Sequence, residues 1–201
     1  MDWRQSTAEH LIRAGIEESA EVKKRLLERA PQLAEIASVI ADAYRWGRKL
    51  IAFGNGGSAA DAQHIVAELV GRFLVDRRAL PALALTCNSS TLTAIGNDYA
   101  YDEIFARQID AFGQPGDVAL GISTSGNSSN VVNAIERAHK NGLVTIGLTG
   151  AGGGTLAEIA DYCVCIPTQS TPRVQECHIL VGHLWCEWIE ADMIKQDKAA
   201  A

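Results

Sequence analysis

Five short, almost uninterrupted apolar runs limit the folds open to this chain more than any other feature. They are Leu50–Phe53, Leu83–Leu85, Val118–Ile122, Val144–Leu148 and Tyr162–Ile166, separated by helix-like stretches at Ala59–Val75, Thr91–Phe112, Val131–Lys140 and Thr155–Ala160. A strand with one wet face alternates apolar and polar residues, so a strand that is apolar throughout must be covered on both sides. Strands of this kind alternating with helices predict an α/β fold: a five-stranded, doubly wound parallel sheet with helices on both faces.

Two helices precede the first strand. Leu11, Ile12, Ile16, Val22, Leu26 and Leu27 recur at steps of three and four within Trp3–Arg29, the spacing of an amphipathic helix. Pro31 suits the first turn of a second helix through Leu33, Ile36, Val39, Ile40 and Tyr44, which Gly47 would end. A long closing helix is expected over Pro172–Lys195. No repeat, low-complexity tract or linker divides the 201 residues. The expectation is therefore one domain over 1–201, with a helical arm at about 1–47, an α/β core at about 48–171 and the closing helix at about 172–195. The tail Lys198-Ala199-Ala200-Ala201 is expected to fray.

Composition removes several functions. With 47% hydrophobic residues and a mean hydropathy of +0.02, the chain can fill a core, which excludes predominant disorder. A net charge of −6 argues against a general nucleic-acid binder, because phosphate backbones recruit positive surfaces. No apolar run approaches the roughly 18–20 residues that would span a bilayer. Asp2, Arg4, Glu9, Arg13, Glu17 and Glu18 leave no apolar stretch for a secretory leader. The five cysteines are odd in number and lack CxxC spacing, so free thiols in a reducing, cytoplasmic setting are expected. Cys163 and Cys165 share one side of a strand and are expected to pack there.

Ligands of parallel sheets bind where strand ends lead into helices. Gly54-Asn55-Gly56-Gly57-Ser58 is such a loop. Without a Gly-Lys-Ser/Thr ending it is no Walker loop. It meets a dinucleotide fingerprint only in part, since the next strand ends Leu85-Thr86-Cys87-Asn88 without the expected acid. A tight turn capped by Ser58 is the plain alternative. Ser123-Thr124-Ser125-Gly126-Asn127-Ser128-Ser129 is richer, with five hydroxyls in seven residues, more than one helix cap uses. Hydroxyls and backbone N–H groups together form a neutral cradle for phosphate, which suits an acidic protein, so a phosphorylated small molecule is expected. Gly150-Ala151-Gly152-Gly153-Gly154 lacks that hydroxyl density and reads as a sharp turn.

His64 and Glu68 are four residues apart on the helix after the first loop. Gln175 and His183 share one broad face of the closing helix, set among Ile179, Leu180, Val181, Leu184 and Trp185. His178 falls on a different face, and His10 and His139 lie in polar surface contexts. A His, Glu, Gln and His set suits a divalent ion such as zinc, and a Glu with a His equally suits paired proton transfer. A surface pair for His64 and Glu68, and a core role for His183, are the structural alternatives. More than a hundred residues separate the two groups, so spacing alone does not bring them together.

Gly54 through His64 resembles the sugar isomerase (SIS) domain of phosphoheptose isomerases. So do Thr93-Ala94-Ile95-Gly96-Asn97-Asp98, Ser123 through Ser128, and Val174-Gln175-Glu176-Cys177-His178. The resemblance covers nearly the whole chain and implies a single SIS domain with a flavodoxin-like sheet. It also implies an aldose–ketose isomerase that converts D-sedoheptulose 7-phosphate to D-glycero-D-manno-heptose 7-phosphate for surface glycans such as lipopolysaccharide. By position, Asn55, Gly56 and Gly57 resemble sugar-contacting residues, and Ser58, Ser123, Thr124, Ser125 and Ser128 phosphate-binding ones. Arg72, Asn97, Asp98 and Gln175 resemble further substrate contacts. Glu68 resembles the general base and His183 the general acid, while His64, Glu68, Gln175 and His183 resemble ligands of one zinc ion per subunit. The resemblance further implies a cytoplasmic homotetramer with its sites between subunits, without membrane or nucleic-acid partners. Two other readings use the same fold: a non-catalytic adaptor for a replication-initiator-type partner, and a sugar-phosphate sensor. The adaptor relative lacks the acid and histidine found here at Glu68 and His183.

Overall fold

The computed structural model describes residues 3–200, with only the backbone described at Ala200. Met1, Asp2 and Ala201, which the leader and tail expectations touch, lie outside the described residues. The sheet contains β1 (Leu50–Gly54), β2 (Ala82–Ala84), β3 (Val118–Ile122), β4 (Val144–Thr149) and β5 (Tyr162–Cys165). All pairings are parallel, in the order β2-β1-β3-β4-β5. β1 and β3 are buried at every position, as their unbroken apolar runs require.

The helices cover both faces. One apolar cluster joins α1 (Trp3–Leu26), α2 (Ala30–Arg45), α3 (Gly57–Val70) and α8 (Thr171–Ala200) to one side of the sheet. The other side packs on α5 (Ala106–Phe112), α6 (Ser129–Lys140) and α7 (Gly154–Ile159), flanked by α4 (Ser89–Asp98). The leading pair forms as its pattern predicts, with Pro31 in the first turn of α2 and Gly47 at φ +69° just beyond its end. Within α1, Val22 and Leu26 are buried, whereas Leu11, Ile12 and Ile16 stand exposed.

Three expected elements differ. The stretch Ala59–Val75 is helical only to Val70, because backbone donors after Gly71 turn to a side chain of α8. Thr91–Phe112 is not one helix: α4 ends at Asp98, a single 3₁₀ turn covers Tyr101–Glu103, and α5 begins at Ala106. Ala100 is extended between them, and Asn88 starts α4 by accepting from Thr91 N–H at 3.0 Å. The closing helix does not fray at Lys198 but continues to Ala200.

α3 and α8 run side by side in the same direction. Gly57 meets the carboxamide of Gln175, Ile65 fills the space above Gly182, and the loop after α3 meets Glu190. A methyl group at Gly182 would lie 2.7 Å from Ile65, so the glycine sets how closely the helices approach. This parallel packing positions the site.

Candidate active site

β1 and β3 are sequence-distant neighbours in the sheet, paired through Gly54 and Ile122 at their carboxyl ends. The helices that follow them leave to opposite faces, so a crevice opens there, as in other sheets of this strand order. Both singled-out loops border it. Gly56 adopts φ +56°, ψ −119°, a conformation open to glycine, and starts α3 as its N-cap. Ser58 is therefore not the cap; it is buried in the first turn.

The hydroxyl-rich loop turns inward. Ser123 is buried, and its Oγ lies 2.9 Å from Ser128 Oγ and 3.4 Å from Ser125 Oγ. Ser128 occupies the N-cap of α6 without using its hydroxyl as a cap. Three converging hydroxyls at the open end of a twelve-residue helix make a place for an anion. The third glycine cluster supports this loop from behind. Leu156 N–H donates to Gly126 O at 3.0 Å, and Asn127 Oδ1 accepts from Thr155 N–H at 2.9 Å. Gly126 sits at φ +69°, and a methyl group there would strike the Gly153 carbonyl.

Asn55 joins the two loops. Its Nδ2 donates to Asn130 Oδ1 at 2.8 Å, and Asn130 Nδ2 donates back to Asn55 Oδ1 at 2.9 Å. Tyr101 Oη donates to the same Asn55 oxygen at 3.2 Å. Sequence reasoning missed Asn130 and Tyr101. The one available signal was an asparagine directly after the hydroxyl run, at a helix start.

Farther along α3, His64 and Glu68 meet at 3.1 Å, and His183 of α8 approaches His64 with its Nε2 atoms 3.0 Å apart. One ligand atom from each of His64, Glu68 and His183 lies within 4.8 Å of the other two. His64 and Glu68 are partly exposed, as a surface pair would be, and His183 adds a third, long-range partner to them. Phe73 packs on His183, with ring centroids 5.6 Å apart. His178 lies on another face, as the angular count predicts; it is fully buried, and its Nε2–H donates to Thr149 O at 3.2 Å. Burial lowers its pKa to about 4 and keeps it neutral. Asp61, a turn before His64, has its carboxyl pKa raised by burial, partly offset by His64.

The remaining expected residues sit apart from the cluster. Gln175 lies against Gly57, at the start of α3. Arg72 is exposed four residues beyond Glu68. Asn97 donates to Asp98 at 2.8 Å at the exposed end of α4, just before the turn that carries Tyr101. Cys163 and Cys165 face Thr149 Oγ1 at 3.8 and 3.4 Å, on one side of β5 as expected.

Residues 16–150 match the SIS domain family. The phosphoheptose isomerase of Rhodospirillum rubrum is 54% identical over 179 residues, covering 89% of this chain and 95% of that relative. The chain belongs to the phosphoheptose isomerase family of SIS-domain proteins. The Aquifex aeolicus phosphoheptose isomerase is 55% identical over 174 residues, covering 86% of this chain and 91% of the relative. The solved phosphoheptose isomerase from Neisseria gonorrhoeae superposes with a TM-score of 0.87 at 40% identity, over 92% of this chain and 99% of that one. This phosphoheptose isomerase family member thus shares its relatives' fold almost end to end.

Proposed function

We propose that the chain interconverts D-sedoheptulose 7-phosphate and D-glycero-D-manno-heptose 7-phosphate through an enediol, in the supply of heptose for surface glycans. The observation that carries this reading is the pairing of a hydroxyl cradle at the β1/β3 crevice with a cluster in which His64 and Glu68, on the helix leaving that crevice, meet His183 of α8. The substrate's phosphate sits on Ser123, Thr124, Ser125 and Ser128, with Ser58 beside them. Asn55, Gly56 and Gly57 meet the sugar. Arg72, Asn97, Asp98 and Gln175 complete the contacts.

Isomerisation moves a proton between C1 and C2 while the neighbouring oxygens exchange carbonyl and hydroxyl character. Glu68 takes the proton from carbon, and His183 delivers one to the carbonyl oxygen as the enediol forms. Both are partly accessible, Glu68 at 25% of its side-chain surface, so a ligand can reach them. Two imidazoles and a carboxylate within 4.8 Å fit zinc by donor type. His64, Glu68 and His183 would hold the ion, whereas Gln175, expected as a fourth ligand, lies against Gly57 and apart from these three within the chain. Bound zinc would supply a Lewis acid that polarises the sugar carbonyl.

The exposed Leu11, Ile12 and Ile16 of α1, and Leu184 and Trp188 of α8, support a homotetramer, since apolar residues of this size seldom cluster on a monomer's surface without a partner. The exposure of Arg72, Asn97 and Asp98 accords with a site completed between subunits. Among the described residues no helix is long and apolar enough to cross a membrane, in keeping with a cytoplasmic enzyme. Incubation of the purified protein with sedoheptulose 7-phosphate, with and without added zinc, tests the reading when product is followed by NMR. Heptose 7-phosphate should accumulate. Tight binding without product would replace the isomerase with a sugar-phosphate sensor.

A further inference from the structure

The loop after α3 is tied down by side chains with no part in the chemistry above. Glu190 lies on α8 seven residues beyond His183, close to two full turns, so the two share one stripe of the helix. Its Oε1 accepts from the N–H groups of Leu74 and Val75 at 2.8 and 2.9 Å, and its Oε2 from that of Phe73 at 2.9 Å. Arg77 Nε forms an ion pair with Oε2 at 3.4 Å. The same guanidinium donates to the α3 carbonyls of Glu68 and Leu69, each at 2.8 Å, and to Gly71 O at 3.2 Å. The Arg77 and Glu190 side chains are 1% and 4% exposed.

The last carbonyls of a helix need donors, and a buried carboxylate needs donors around it. Arg77 and Glu190 answer both needs at once, at the end of α3 that carries Glu68. Burial alone would raise the Glu190 pKa, but its three backbone donors and Arg77 outweigh that and lower it. The segment so fixed includes Phe73, whose ring lies 5.6 Å from that of His183.

We infer that Glu190 and Arg77 are positioning residues of this site: they stop α3 just past Glu68 and seat Phe73 against His183, holding base and acid in register. The catalytic consequence rests on the isomerase reading; the placement of Phe73 does not. Full-length Glu190→Gln, Phe73→Ala and Phe73→Tyr proteins test it by two readouts. The first is steady-state turnover of sedoheptulose 7-phosphate. The second is the NMR line of the His183 ring C–H in metal-free protein at one fixed pH, assigned with His183→Asn.

Glu190→Gln should lower kcat roughly 10–100-fold, the usual effect of losing a supporting partner. KM should change far less than kcat, because the hydroxyl cradle stands on β3 and α6 and Arg72 alone of the proposed substrate contacts lies on the braced loop. Phe73→Ala should shift the His183 line by removing the neighbouring ring current, Glu190→Gln should shift it the same way, and Phe73→Tyr should restore both line and kcat. A folded Glu190→Gln protein with unchanged kcat, a raised KM alone, or an unmoved His183 line would overturn the inference. Should Glu190→Gln fail to fold, Phe73→Ala decides, and a wild-type line and kcat there overturn it. Absence of turnover in the wild type sinks the isomerase reading, and the His183 line still decides the positioning.

Discussion

Ser123, Ser125 and Ser128 come from one short stretch and meet because β3 ends and α6 begins there. His64 and His183 are separated by 119 residues and meet only because α3 and α8 pack in parallel on one face of the sheet. The first group depends on local backbone, with its support from the Gly150–Gly154 turn. The second depends on helix packing, on Gly182 against Ile65 and on the braced loop after α3. The two regions should therefore fail differently: damage to the loop should weaken binding, and damage to the helix pair should slow the chemistry.

The largest expected effect separates them most sharply. Glu68→Gln should lower kcat by about 10²–10⁴-fold, the usual worth of a positioned base, while inorganic phosphate still binds as in wild type by calorimetry. Loss of phosphate binding in that variant would merge the two regions into one. Next in size, Ser123→Ala combined with Ser125→Ala should raise KM by about 10–100-fold with kcat little changed, because binding common to ground and transition states is removed. An unchanged KM removes the phosphate from this loop. Gly126→Ala, which forces a side chain into φ +69° and against Gly153, should cost roughly 1–3 kcal/mol in urea unfolding. Wild-type stability would mean that the loop is not held by its neighbour.

The most gradual effect concerns the anchoring of α8. His178 is neutral in the fold, with its pKa lowered to about 4 from the ordinary value of 6.5. Between those values the unfolded chain binds the proton and the folded chain does not, so stability falls as pH drops from 6.5 towards 4. The slope from this group is at most about 1.4 kcal/mol per pH unit. His178→Phe should remove that share of the acid limb in unfolding curves taken across the window. An unaltered slope would show that the Thr149 contact does not hold the ring neutral.

The same contrast governs what could be read before the fold was in hand. The sheet was legible because strands buried on both faces leave unbroken apolar runs, and the crevice followed from the loops at their ends. The cradle was legible because its hydroxyls are contiguous. The meeting of His64 with His183 was not, since helix periodicity fixes the face a residue occupies and not the helix it faces. Glu190 was hidden for a related reason. An acid in a stretch shared with Glu187 and Asp192 reads as a surface position until the loop amides and Arg77 that surround it are known. The break between α4 and α5 escaped because apolar spacing continues across the extended Ala100.

The central claim is that Glu68 moves a proton on a substrate held by the serine loop. Turnover of sedoheptulose 7-phosphate in deuterated water, followed by NMR for wild type and Glu68→Gln, tests it most directly. The account predicts heptose 7-phosphate carrying solvent deuterium at C2 from the wild type, and product formed about 10²–10⁴-fold more slowly by the variant. Undiminished turnover by Glu68→Gln, with the label still entering at C2, would contradict it.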